Sequence, residues 1–203
     1  MGGAHVLQPF LSVLARTLLG MARSGVAEVA ADLAPALVAG ADQLLRAGTS
    51  VPPVTVHMFC ADLDPPYLGY VACRVVEAGR DAATAVGLLG RLPSVVAATH
   101  LVVAWEYSAL RAALEPALGR GPTGLAVVEA SFDEHLVRWF PFRRMARGNG
   151  VEWGRSRVHP GGALPSPVEY LLSSWRSLIV DDVAATVEML ERAAYRVRWT
   201  ARS

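Results

Sequence analysis

Lysine is missing altogether from this 203-residue chain, and all 19 basic residues are arginine. The absence removes chemistry: no Schiff-base lysine, no Walker lysine on a phosphate and no serine–lysine dyad can be built here. Cysteine is almost as scarce, with only Cys60 and Cys73, which argues for a reducing compartment and against a disulfide framework. Charged residues make up 18 % of the chain and the net charge is +1, so no global field selects nucleic acid or membrane. Arg16 and Arg23 interrupt the N-terminal apolar residues, and no basic stretch precedes them. The segment therefore has neither the length of a membrane span nor the order of a signal peptide, and we expect a cytoplasmic protein without a membrane partner. The histidines at 5, 57, 100, 135 and 159 show no i, i+4 pair and there is no G-x-S-x-G run. Zinc spacing and the usual hydrolase nucleophile are thus both lacking, and we expect no metal and no cofactor.

What the chain has in excess is apolar residues, 53 % of the total. A chain of this length can bury a full core, and the surplus points to deep burial or to a surface that a partner covers.

Residues 5–22 place Leu7, Phe10, Leu11, Leu14, Leu18 and Met21 at helical spacing. A second helix capped by Ser24 carries Val26, Val29, Leu33 and Leu37, with Pro35 expected to kink or split it. From Val54 the period becomes two, through Val56, Met58 and Cys60, and again through Val71, Cys73 and Val75. A helix capped by Asp81 and ended by Pro93, a strand over 101–107, a helix capped by Ser108, and a hairpin of 125–132 with 136–142 follow. Val151–Trp153 adds a short strand. Ser166-Pro-Val-Glu169 reads as a capping box opening a helix with Val168, Leu171, Leu172 and Trp175 on one face. A last helix after Asp182 turns Val183, Val187 and Leu190 inward. The expected fold is α+β: a mixed, mostly antiparallel sheet of about five or six strands. An N-terminal helical hairpin (residues 1–48) and two C-terminal helices pack on it, with residues 49–203 forming the main α+β domain.

The stretch His57-Met-Phe-Cys-Ala-Asp-Leu-Asp-Pro-Pro66 and its continuation to Cys73 gathers both cysteines and an Asp62-x-Asp64 pair. With Pro65 to Leu68 as the loop, Cys60 falls opposite Cys73; in a tighter register the two are diagonal. Either way they share an apolar face with Val56, Met58, Val71 and Val75 and read as small core residues; a cross-strand disulfide is the lesser reading. The aspartates suit either a divalent cation or a turn ahead of the two prolines, and the turn is favoured because no basic partner accompanies them.

Gly119-Arg-Gly-Pro-Thr-Gly124 spells the dinucleotide fingerprint, but a helix precedes it and a strand follows, the reverse of what that motif requires. Glu77-Ala-Gly-Arg-Asp81 does run from strand to helix, where exposed amides and Arg80 could meet a phosphate. The order of elements resembles that of the acetyl-CoA-dependent N-acetyltransferases. The resemblance implies a phosphate-bearing donor at the Gly79 turn and Glu106, at a strand end, as base. Against it, the Gln/Arg-x-x-Gly-x-Gly/Ala run of that family is absent, and Asp81 stands where the phosphate would lie. Glu106 reads equally as a rim carboxylate bonded by a nearby arginine.

One segment is locally biased. Residues 138–157 hold six arginines and one acid, Glu152, among Trp139, Phe140, Phe142 and Trp153. Arginine with aromatics suits protein hot spots and also phosphate contact with base stacking. Residues 24–64, with five acids and one arginine, could dock on it between subunits. The expected binding residues are Arg138, Trp139, Phe142, Arg143, Arg144, Arg147 and Trp153. The expected function is non-catalytic: protein interaction or assembly through this Arg/aromatic surface, with a protein partner or a second copy. The alternatives are a small acyl-CoA- or phosphate-donor-dependent transferase and a nucleic-acid-binding accessory domain.

Overall fold

The computed structural model describes residues 26–51, 53–119, 121–145 and 150–200. The first arm of the expected helical hairpin, residues 5–22, lies outside them. The second arm is α1 (Val26–Arg46), continuous through Pro35 rather than split there. Pro35 is exposed while Leu33, Ala34 and Leu37 are buried. The bond lost to the proline therefore faces water, and packing of the opposite face holds the helix together. Gly48, at φ 76°, ends α1 in the left-handed conformation, with Gly48 N donating to Leu45 O at 3.1 Å and Thr49 N to Leu44 O at 2.9 Å.

The sheet has eight strands: β1 (Thr55–Phe59), β2 (Tyr67–Ala72), β3 (His100–Glu106), β4 (Gly124–Ala130), β5 (His135–Arg144), β6 (Val151–Trp153), β7 (Arg157–Pro160) and β8 (Arg196–Trp199). Their order is β6-β5-β4-β3-β1-β2-β8, and β7 pairs with β5. Each pairing among the described strands is antiparallel. β7 and β6 pair successive stretches of β5, Leu136–Trp139 and then Phe142–Arg144. The fold is the expected α+β, with β7 and β8 in addition to the strands read from periodicity. Each of these two is four residues long, and arginines occupy alternate positions on β8, so neither offers the apolar run that marks a strand.

Among the described residues five further α-helices follow: α2 (Ala82–Leu88), α3 (Arg91–Val95), α4 (Tyr107–Leu114), α5 (Ser166–Arg176) and α6 (Val183–Arg192). One face of the sheet, with Val56, Met58, Val71, Leu101, Val103, Trp105, Ala126 and Val128, packs on Ala85, Val86, Leu92, Leu110, Leu171, Trp175 and Leu190 of these helices. The other, with Phe59, Val102, Ala104, Leu125 and Val127, packs on Leu33, Leu37, Ala41 and Leu44 of α1. A sheet covered on both faces needs central strands that are apolar at every position. This explains why β1 is buried throughout and why β3 and β4 carry unbroken apolar runs.

Several helix starts differ from the sequence expectation. Glu106 caps α4, not Ser108, accepting from the amides of Ser108 and Ala109. Asp81 makes no capping bond to α2. Pro93, expected to end that helix, lies inside α3. The residue before α5 is Pro165, whose carbonyl accepts from Val168 N and Glu169 N, so Ser166 is already helical and no capping box forms. The last helix follows Asp182 as expected, and Asp182 caps it, accepting from Ala185 N at 2.7 Å. Leu190 of α6 is buried, but Val183 is 40 % exposed and the inward first-turn position goes to Thr186.

Gly69 of β2 lies opposite Trp199 with φ 144°, and a Cβ there would drive into the Arg198 carbonyl and the Trp199 Cα. The backbones of β2 and β8 approach too closely for any side chain. Gly69→Ala should therefore cost about 2–3 kcal/mol and strip amide-exchange protection from β8 before the rest of the sheet. Urea unfolding with residue-resolved exchange measures both, and an unchanged midpoint would contradict the packing described.

Candidate functional site

The Arg/aromatic segment divides between the two faces of β5. Phe142 points to α1, where with Val151 of β6 it covers Leu45, and its ring lies 5.1 Å from that of Trp153, tilted by 55°. Trp153 Nε1 donates to Asp42 Oδ1 at 2.9 Å, and Asp42 also accepts from Arg46 at 2.7 Å; the guanidinium holds the Asp42 carboxyl below its ordinary range. Trp139 lies on the opposite face, edge-on to Tyr107 at 5.5 Å and over Gly124, where a Cβ would collide with its ring. Arg138 is paired to Glu129 at 2.6 Å. The aromatics of the segment thus serve internal packing. Of the arginines, Arg143 is exposed and paired to Glu152 at 2.6 Å, and Arg144 donates to the Thr49 carbonyl at 3.1 Å. Arg147 lies outside the described residues. The regions of opposite charge bias do meet, within one chain, through the Asp42–Trp153 bond and an Arg46–Val151 carbonyl bond of 3.0 Å.

The cysteine hairpin matches neither expected register: its pairing is shifted by six residues from the one that sets Cys60 opposite Cys73, and the connection between the strands is longer, residues 60–66. Thr55 pairs with Ala72 and Met58 with Gly69, so Cys73 N donates to Val54 O while Cys60 N donates to Pro66 O. The two cysteines lie at opposite ends of the hairpin, both free. Cys73 is a core residue beside Val54 and Val56 as expected, and burial pushes its thiol up to about 11. Cys60 is only partly buried and Val75 is 92 % exposed, so neither joins that face. Residues 61–66 form the turn, with Asp62 and Asp64 exposed. Among the described residues no three His, Cys, Asp or Glu side chains converge as a metal site.

At the Gly79 turn, Gly79 N is bonded to Ala113 O at 2.7 Å. Asp81 pairs with Arg74 at 2.6 Å and accepts from Glu77 N at 2.9 Å, and the exposed Arg80 pairs with Glu77. The anion held in this turn is the chain's own aspartate. Glu106 accepts from Ser108 N, Ser108 Oγ and Ala109 N at 2.6–3.0 Å, and from Gly124 N at 3.4 Å. Its carboxylate ties the start of α4 to the start of β4, bonded by backbone amides where an arginine was the expected partner.

Two features escape sequence reading. The first is His57, 1 % exposed among apolar residues. Its Nδ1 meets Tyr67 Oη at 3.0 Å, its ring lies 5.6 Å from that of Tyr70, and it pairs across β3 with Val102. Nε2 of His57 and Oη of Tyr70 have no partner among the described residues. Desolvation lowers the imidazole to about 3 and raises the Tyr70 phenol. In sequence His57 is one polar letter in an alternating strand, with no hint that both faces are covered. The second is the turn between α5 and α6, where Leu178, Ile179 and Val180 are 50 %, 36 % and 100 % exposed. Ile179 N donates to Ser94 Oγ at 2.6 Å and Asp181 pairs with Arg91 at 2.5 Å, pinning the turn to α3 on both sides of Val180. By contrast, the cleft between α1 and the sheet, lined by Leu37, Ala41, Thr55, Ala104 and Leu125, has a volume of about 10 Å³, room for one water.

No family model, characterised protein or solved structure matches the chain.

His57 gives the fold an acid-sensitive contribution. Its pKa is about 3 when folded and about 6.5 when unfolded, so below about 6.5 the unfolded chain binds the extra proton. Stability should fall as pH drops from about 6.5 toward 3, by up to about 1.4 kcal/mol per pH unit. Urea midpoints across that range should diverge between wild type and His57→Gln, with the variant flatter. Parallel curves would show that His57 does not stay neutral in the fold.

Proposed function

We propose that this is a non-catalytic protein of the cytoplasm that works by binding another protein or a second copy of itself. The pinned apolar turn of residues 178–180 supports this reading best. Among the described residues no helix is long and apolar enough to cross a membrane, which accords with it. Successive aliphatic side chains left in water are unfavourable; burying the fully exposed Val180 against a partner returns about 1.5–3 kcal/mol, and the partly covered Leu178 and Ile179 return less. Leu178 moreover holds φ 45°, a conformation that costs a β-carbon-bearing residue about 1 kcal/mol or more. A strained, anchored and exposed apolar turn is preorganised, so its ordering cost is met during folding and not on association. Arg143 and Arg144, which with Arg155 and Arg157 are the exposed arginines of the segment among the described residues, supply a second and charged face.

Light scattering on the size-exclusion peak separates the two kinds of partner. If the partner is a second copy, wild type forms a dimer that Leu178→Asp/Val180→Asp converts to monomer with an unchanged melting temperature. If it is another protein, wild type is monomeric, and a photo-crosslinker at position 180 traps one defined polypeptide in cells, whereas one at the exposed Glu191 does not. A monomer that crosslinks equally from both positions would remove the turn from the function, and Arg143→Glu/Arg144→Glu then tests the charged face.

A further inference from the structure

β8 closes one end of the sheet, pairing with β2 on one side only. Thr200 N donates to Leu68 O at 3.0 Å, and in an antiparallel ladder the residues that exchange bonds alternate. Arg198 and Arg196 therefore turn their peptide groups toward β2, and Val197 and Trp199 turn theirs outward. Among the described residues no backbone group pairs with this outer side. The Val197 carbonyl accepts instead from Arg198 Nη1, at 2.7 Å. The Arg196 and Arg198 side chains lie on the face of Tyr70, whose phenol feels both guanidiniums, and neither meets a carboxylate among the described residues. Trp199, on the other face opposite Gly69, is 45 % exposed.

We propose that the outer edge of β8 receives an extended acidic peptide of a partner protein as a ninth, hydrogen-bonded strand. Its carboxylates would lie on Arg196 and Arg198 and an apolar residue on Trp199. Peptides add to open edges through main-chain bonds, with alternate side chains giving selectivity. Here the charge that selects the guest also guards the edge. Arg198 covers the Val197 carbonyl until a carboxylate draws the guanidinium away, and the freed carbonyl then accepts from the guest's amide. Uncharged or basic strands cannot draw it off, so the edge is closed to them. A second copy of β8 would set arginine against arginine, which is repulsive. Residues 1–25 carry Arg16 and Arg23 but no acid, so that segment does not supply the charge either. The inference is independent of the turn at residues 178–180, which is pinned to α3.

The test is titration of the full chain with a short labelled peptide of alternating valine and glutamate, followed by fluorescence anisotropy and by amide exchange at Val197 and Trp199. Saturable binding is expected, with exchange slowed at those two amides. N-methylation of alternate peptide residues should abolish it, and Arg196→Glu/Arg198→Glu should weaken it by roughly ten-fold or more while accepting a valine/lysine peptide. Arg198→Gln, a milder change, should weaken it in the same direction if the double variant fails to melt cooperatively. Four results would overturn the proposal: no binding up to about 1 mM, binding indifferent to N-methylation, equal binding of the valine/lysine peptide to wild type, or binding of a single-stranded oligonucleotide but not the peptide. A dimer that protects Val197 and Trp199 and excludes the peptide would also overturn it, by assigning the edge to a second copy.

Discussion

β3 has no polar side. Leu101, Val103 and Trp105 face one helical layer while Val102 and Ala104 face the other, and covering both at once is the constraint from which the architecture follows. One layer is not enough: leaving Val102, Ala104 and their neighbours Leu125 and Val127 in water would forfeit about 1.5–3 kcal/mol for each large side chain. The five helices that follow in the chain all pack on the first face, so among the described residues α1 is what closes the second. Surface available to a partner is then confined to sheet edges, turns and outward helix faces.

The two layers are fastened to the sheet in a common way, by an aromatic body in the apolar interface with its polar tip on a single acceptor. Trp153 packs on Phe142 and bonds Asp42 of α1. Trp175 of α5 is fully buried and donates to Ala98 O at 2.8 Å, and Tyr195 donates to Ala85 O of α2 at 2.9 Å. Each bond joins segments 77 or more residues apart in the chain. Burial alone is non-directional and would let helices slide; a donor with one acceptor sets where each rests. His57, Tyr70 and Trp105, whose ring nitrogen, hydroxyl and indole nitrogen have no partner among the described residues, depart from this pattern, and the surrounding packing carries the cost.

The arginine-only composition has a structural use. Arg46, Arg144, Arg176 and Arg198 all donate to backbone carbonyls, at Val151, Thr49, Ser131 with Glu134, and Val197. A guanidinium offers five donors in a fixed plane and stays charged, so it can cap a strand or loop end and still present charge outward. At β8 the two roles fall on one residue, which is why that edge is both guarded and selective.

How much was legible follows from how far each signal reaches along the chain. The α+β class, the hairpins, β3 and the buried face of α5 were readable because each rests on periodicity within about ten residues. The chemical exclusions that follow from having no lysine were also complete in the sequence. Capping was read less well: Ser108 and Ser166 have the right letters, but Glu106 and Pro165 took the positions once β4 and the preceding loop were in place. The candidate surface shows the limit most clearly. Trp139, Phe142 and Trp153 have the composition of a binding patch, and nothing local distinguishes a tryptophan that meets a partner from one that meets Asp42, 111 residues away. The sequence by itself determined which segments alternate and which chemistries are excluded. Only tertiary structure decided which apolar residues found cover, because cover comes from elements distant in the chain: α1 supplied it for the aromatics of β5 and β6, and no described element supplied it for Leu178, Ile179 and Val180.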